Sequence, residues 1–419
     1  MTAPGRSPSR GMSLVELMIS LALGLIVIAG ALALLRGQQG SFRAGTGDRA
    51  QQETARAALE SITSSLRVAG FGVDPALAFD FGPQNNVRMS QVPSGTVVAA
   101  TSFRCAAGVT CRDSTTGSDE IVFLARDPAF GYPLSQAYAA GSSQLVITGP
   151  LRNPIHRGQI LQVMCFTGTM AWAYVTVSAE VPASNGASVA VPLVTGTTVF
   201  PDQTSLLNGD GCFASAAPAG SGAGVVASAA KVFKVDRFRY FLQSFAEGSG
   251  TRPYLMLDQG LFDASGNAIN DVVAPDVEDL QFSYLFPAFP DPALRLIGAA
   301  AGNAITADGN GIDLAPVQRP PAYGDDPDAL QRTTHHPGNI RLVRVAIVVR
   351  SPSVDPDMLG VAADTILPAA GNRAAVAGPV GYRRALFETS APIRNLDARA
   401  PYFPTYTATG TDQLNVGGG

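Results

Sequence analysis

The chain has 419 residues, 46% of them apolar and 15% charged, a balance that excludes a disordered polypeptide and gives room for one large or two smaller globular parts. Its 44 glycines and 30 prolines interrupt helices too often for a helical bundle and favour a turn-rich, β-rich body. A net charge of −4, with no basic excess, removes nucleic acid from the expected partners.

Residues 1–11 carry Arg6 and Arg10 and show no hydrophobic periodicity. From Leu17 to Leu35 the only polar side chain is Ser20. As an α-helix this run spans about 28 Å, close to the hydrocarbon thickness of a bilayer. Glu16 stands at its mouth. An acid at the centre of a membrane helix costs roughly 2.5–3.5 kcal/mol and less near the end, so Glu16 calls for a function. A secretory signal would use Arg6 and Arg10 as its basic region and Ala31-Leu32-Ala33 as its cleavage site, but the apolar run is long for one and the acid is out of place. An unprocessed anchor accounts for the run and leaves Glu16 unexplained.

The third reading starts from Gly11-Met12-Ser13-Leu14-Val15-Glu16-Leu17-Met18, which closely resembles the start of type IV pilins and pseudopilins. That resemblance implies a leader, 1–11, cut by a membrane prepilin peptidase between Gly11 and Met12, with the new amine of Met12 then methylated. Met12 departs from the Phe usual at that place. The freed amine and Glu16 would lie one helical turn apart on one face. In a filament Glu16 of one subunit can then neutralise the Met12 amine of a neighbour, an attraction that a low dielectric strengthens. Loss of Arg6 and Arg10 with the leader takes 29 basic residues to 27 against 33 acidic ones, a net charge of −6. The basic leader stays cytoplasmic, which predicts a single pass through the inner membrane with the body in the periplasm.

The transmembrane and assembly helix is predicted over 12–36 and an amphipathic continuation over 37–70. Gly37, Gly40, Gly45 and Gly47 each cost a helix about 1 kcal/mol and predict a bend or loosened stretch that stays broadly helical. Ala55, Ala58, Leu59, Ile62, Leu66 and Ala69 then repeat at the helical period, and Gly70 is a natural stop. A first β-rich part, 71–230, holds candidate strands Glu120–Ala125, Gln144–Thr148, Gln159–Phe166, Ala171–Ser178 and Ser188–Val194. It closes on an Ala/Gly/Ser stretch, Ala214–Ala230, read as a surface loop or internal boundary. A second part, 231–419, holds Lys231–Ser244, Tyr254–Leu257, Val277–Leu285, Ile340–Arg350 and Tyr382–Thr389. A Pro-, Gly- and Asp-rich stretch over 286–339 reads as a long loop, and the tail from Leu396 reads as fraying. The fold class expected is α+β: a long N-terminal helix packed on a large antiparallel β-rich head.

Cys105, Cys111, Cys165 and Cys212 are even in number in an exported body and form no Cys-x-x-Cys pair. Four cysteines allow three pairings. Cys105 with Cys111 and Cys165 with Cys212 is preferred because the first two lie close in a turn-rich segment; four buried free thiols are the alternative. Asp308, Asn310 and Asp313 suggest part of a calcium loop, but Thr306 and Val317 stand where such a loop needs acids, so a polar turn explains them better. His156, His335 and His336 have no zinc-type spacing. No nucleophile elbow, phosphate loop or dinucleotide fingerprint stands in a suitable context, and neither enzymatic activity nor a cofactor is expected.

Further segments resemble the PilW family of minor pilins. They are Leu66-Arg67-Val68-Ala69-Gly70-Phe71, Val277-Glu278-Asp279-Leu280-Gln281-Phe282-Ser283-Tyr284, Ile340 through Ser351, Arg383-Arg384-Ala385-Leu386-Phe387 and Ile393-Arg394-Asn395. Asp276 stands where Gly is common before the Val-Glu pair, and Leu285 replaces the Gly that often follows the Tyr. The resemblance implies a minor pilin at the pilus tip that primes assembly, with other minor pilins, the major pilin and a large tip adhesin as partners. A minor pseudopilin of a type II secretion system shares the leader and helix. A membrane-tethered envelope enzyme or sugar-binding protein is the alternative of another kind.

Overall fold

The computed structural model describes residues 13–73, 78–79, 117–136, 138, 142–165, 171–194, 230–248, 250–263, 265–287, 294–297, 337–355, 359, 366–371 and 373–399. One helix, α1 (Leu14–Leu66), takes the first 53 of these elements' residues and is about 80 Å long. Ser13 caps it: the backbone is extended there and the hydroxyl accepts from Val15 N at 3.2 Å. The helix runs unbroken through Gly37, Gly40, Gly45 and Gly47. Elongating a helix that already exists costs far less than nucleating one, so four weak helix formers do not interrupt it.

Five strands and a branch make the first sheet. Its order is β4 (Ala171–Thr176), β3 (Ile160–Cys165), β6 (Ala230–Glu247), β7 (Gly250–Phe262) and β8 (Ala268–Pro275), with β1 (Ile121–Pro133) also on β6. The 18-residue β6 organises it. β1 runs along one edge of β6, from Lys231 to Tyr240, while β3 and then β7 occupy the other edge end to end. The line expected at 230/231 is therefore spanned by one sheet, because β6 pairs with strands from both sides of it.

The second sheet has the order β10 (Leu294–Ile297), β9 (Val277–Pro287), β11 (Leu342–Arg350) and β14 (Arg384–Pro392), all antiparallel. Two small ribbons complete the head, β2 (Gln144–Thr148) with β5 (Ser188–Pro192), and β12 (Ile366–Leu367) with β13 (Val376–Ala377). β10 falls inside the stretch expected as loop. β8 was not expected either, since adjacent Asn270 and Asp271 break its alternation.

Ala55, Ala58, Ile62, Leu66 and Ala69 are buried against both sheets, together with Tyr240, Leu255, Val277, Phe282, Val345 and Ile347. The helical stripe read from the sequence is thus the face that meets the head. β11 is buried on both sides: Val343, Val345, Ile347 and Val349 join this core, whereas Ala346 and Val348 pack with Leu367 and Ala370. A separate core lies between the β2–β5 ribbon and the start of the first sheet, with Ile147, Val191, Leu161, Val163 and Val232 at its centre. The tail does not fray at Leu396. A short helix, α2 (Arg394–Asp397), seats the wholly buried Leu396 in the main core.

Candidate functional site

The N-terminal half of α1 is an uncovered apolar surface. Leu14, Ile26, Val27 and Leu35 are 76, 66, 70 and 52% exposed, so no described part of the head shields the run. Ser20 gives its hydroxyl proton to Glu16 O at 2.8 Å and Leu17 O at 3.1 Å, which satisfies its polarity within the helix. Glu16 is then the outstanding polar group of this half. It sits in the first turn, where the helix dipole favours an acid, and forms no ion pair with any described residue. A Cβ added at Gly24, Gly30, Gly37 or Gly45 would meet nothing within 4 Å, so packing within the chain does not require these glycines. The helix is long and apolar enough to cross a membrane.

Gly11, Met12, Cys105, Cys111, Cys212, Asp308, Asn310 and Asp313 lie outside the described residues, as do His335 and His336. Cys165 ends β3. Among the described residues no three His, Cys, Asp or Glu side chains converge on a metal-sized site.

The segments that stood out in the sequence come together in space. Asn395 donates through Nδ2 to Arg67 O at 3.2 Å and Ala69 O at 3.1 Å, closing the carbonyl end of α1. Gly70, at φ +74, lets the chain turn there, and a Cβ would press within 2.9 Å of Leu396 Cδ2. Gln51 on the buried face donates to Arg383 O at 2.6 Å. Tyr240 Oη lies 2.9 Å from Ser65 Oγ and 3.1 Å from Ser61 Oγ, which ties the helix to β6.

Asp276 is where the two sheets join: β8 ends at Pro275 and β9 begins at Val277. It adopts φ +60, a left-handed backbone. Its carboxylate accepts from Arg252 Nη2 at 2.7 Å and lies 3.5 Å from Arg350 Nε. Arg350 also lies 3.5 Å from Glu278, which pairs with Arg384 at 2.5 Å, and its guanidinium covers the Tyr382 ring at 4.2 Å. The residue after Glu278, Asp279, holds the buried Arg373 at 2.7 Å. Sequence patterning marked the Val-Glu-Asp run and the flanking arginines but not that Asp276 and Glu278 share Arg350 in one charge cluster, with Asp279 and Arg373 a separate buried pair. The attraction of each pair offsets the cost of removing its charges from water. The cluster fixes the sheet corner under the helix.

The prokaryotic N-terminal methylation motif matches residues 6–32. No curated protein matches the chain. The motif supports a type IV pilin-like or pseudopilin-like protein, and the exposed apolar helix behind it and the antiparallel head are consistent with that. Such a signal supports processing by a prepilin peptidase, membrane anchoring and assembly with other pilins.

Proposed function

We propose that the chain is a minor pilin of a type IV pilus, PilW-like in its head segments, which primes assembly and forms part of the tip complex with other minor pilins, the major pilin and a tip adhesin. The observation that carries this reading is the methylation motif over 6–32 leading directly into a helix half that its own head leaves bare. A surface that apolar is stable in lipid and, after extraction, against the same surface of neighbouring subunits. The peptidase would cut after Gly11, and the methylated Met12 amine would pair with Glu16 of an adjacent subunit. A large head on an assembly helix suits a subunit used once, at the end of a filament.

The test is mass spectrometry of the chain isolated from its native membranes and from sheared surface pili. The expected N-terminus is N-methylated Met12, with the chain in the pilus fraction at far below the level of the major subunit. A chain that keeps residues 1–11 overturns the reading. A processed chain required for protein secretion and absent from pili points instead to the pseudopilin of a secretion system.

A further inference from the structure

Arginines packed into the head stand beside carboxylates. Arg237 pairs with Asp258, Arg239 with Glu120, Arg252 with Asp276, Arg373 with Asp279 and Arg383 with Asp355. Arg126 on β1 does not. Its Nη1 points at Met164 Sδ at 3.1 Å, and its guanidinium carbon lies 4.5 Å from the Phe233 ring centre and 5.8 Å from that of Phe71. Burial without a neighbouring acid pulls its pKa below the ordinary value, with Tyr174 the only group acting the other way.

The position is built for this side chain. Arg126 N donates to Phe71 O at 2.8 Å, which holds β1 against the turn that follows α1. Gly72 in that turn has φ +67, and a Cβ there would overlap the Arg126 guanidinium. Beside it Phe71 is 37% exposed, and Val68, whose carbonyl accepts from Phe71 N at 3.0 Å, is 42% exposed. The result is a half-buried cation with an aromatic floor, an exposed apolar rim and no acid among the described residues.

We propose that Arg126, rimmed by Phe71 and Val68, docks a carboxylate of an Asp or Glu side chain on the head of a neighbouring pilin-type subunit. This rests on the assembly reading above. The planar guanidinium matches a carboxylate through paired hydrogen bonds, and a partly desolvated site strengthens them. The apolar rim favours a polypeptide over a free ion. Lipid phosphate is out of reach: from Leu35, where the apolar run ends, to Leu66 the helix rises about 46 Å. A net charge of −4 argues against nucleic acid.

The test uses the full chain in its native host, with p-benzoylphenylalanine in place of Phe71, alone and combined with Arg126→Met or Arg126→Glu. Illumination of assembled pili is expected to link position 71 to a peptide of another pilin-type subunit that has an Asp or Glu within a few residues of the link. Arg126→Met should cut that yield about tenfold, the scale of a lost charge-assisted hydrogen bond, and leave the melting temperature unchanged or raised. Arg126→Glu should recover the link when the partner's acid is changed to Lys. Links only to residues of the same chain, links to a peptide without an acid, or an Arg126→Met head that melts several degrees lower would each overturn the proposal while leaving the assembly reading standing. If the unmutated chain never enters pili, the assembly reading fails and this docking site fails with it.

Discussion

An aspartate in the left-handed region gives up about 1–2 kcal/mol relative to a relaxed backbone. Asp276 is held there by what its carboxylate reaches: Arg252, 24 residues before it, and Arg350, 74 residues after it. Removing one member of a buried pair costs about 3–5 kcal/mol because the remaining charge is left uncompensated. Asp276→Gly should therefore relieve the backbone yet lower stability by a net 2–3 kcal/mol or so, seen as a lower midpoint for loss of the β-sheet circular dichroism signal on heating. An unchanged or higher midpoint would mean that backbone strain outweighs the ion pairs. The left-handed turn was not read from the sequence, where an Asp at that place left the turn geometry open. Its charge partners were not read either, because nothing local marks which of many arginines a fold will bring to a corner. Arg126 was illegible for a related reason: it falls just past the expected strand Glu120–Ala125, and only the tertiary structure shows that no described acid lies beside it.

Among elements, the helix was the most readable. Its buried stripe is a property of one stretch of chain and follows from the 3.6-residue period alone. Ile62 is wholly buried where that stripe meets both sheets. Ile62→Ala should cost about 2–5 kcal/mol through lost burial and an unfilled cavity, again read as a lower melting midpoint of the head. The variant should still enter membranes, since residues 14–35 touch none of this core. A melting curve that does not move would show that the helix is only loosely seated. Gln144–Thr148, whose burial alternates, was found with both its ends, and the other expected strands were found with ends displaced. β8 and β10 were missed because their pairing is conferred by neighbours: β8 completes the edge of β7, and β10 folds back on β9. Leu396 was misread for the same reason, as a single apolar residue in a polar tail shows no period even when it is buried against Gly70 and α1.

The whole molecule divides its labour along one helix. From Gln51 to Leu66 it belongs to the head; from Leu14 to Leu35 it belongs to whatever surrounds the protein. The boundary expected at 230/231 was drawn from composition, and composition cannot register that β6 pairs across it. The membrane half, by contrast, was legible because solvent preference is a property of the side chains themselves. Within it Glu16 is the one charged group, and it makes no intramolecular ion pair with the described residues. Replacing it should leave folding of the head intact, because no described part of the head touches it. Glu16→Ala should also insert into the membrane at least as well, since a desolvation cost has been removed. On the proposed assembly reading, only association with a neighbour's terminal amine would be lost. An interaction of about 1.4 kcal/mol per subunit already changes incorporation tenfold, so the variant should accumulate in membranes and fall at least about tenfold in sheared pili. Equal recovery of Glu16→Ala and the unmutated chain from the pilus fraction would mean that shape along the bare helix, rather than charge at its mouth, sets the register between subunits.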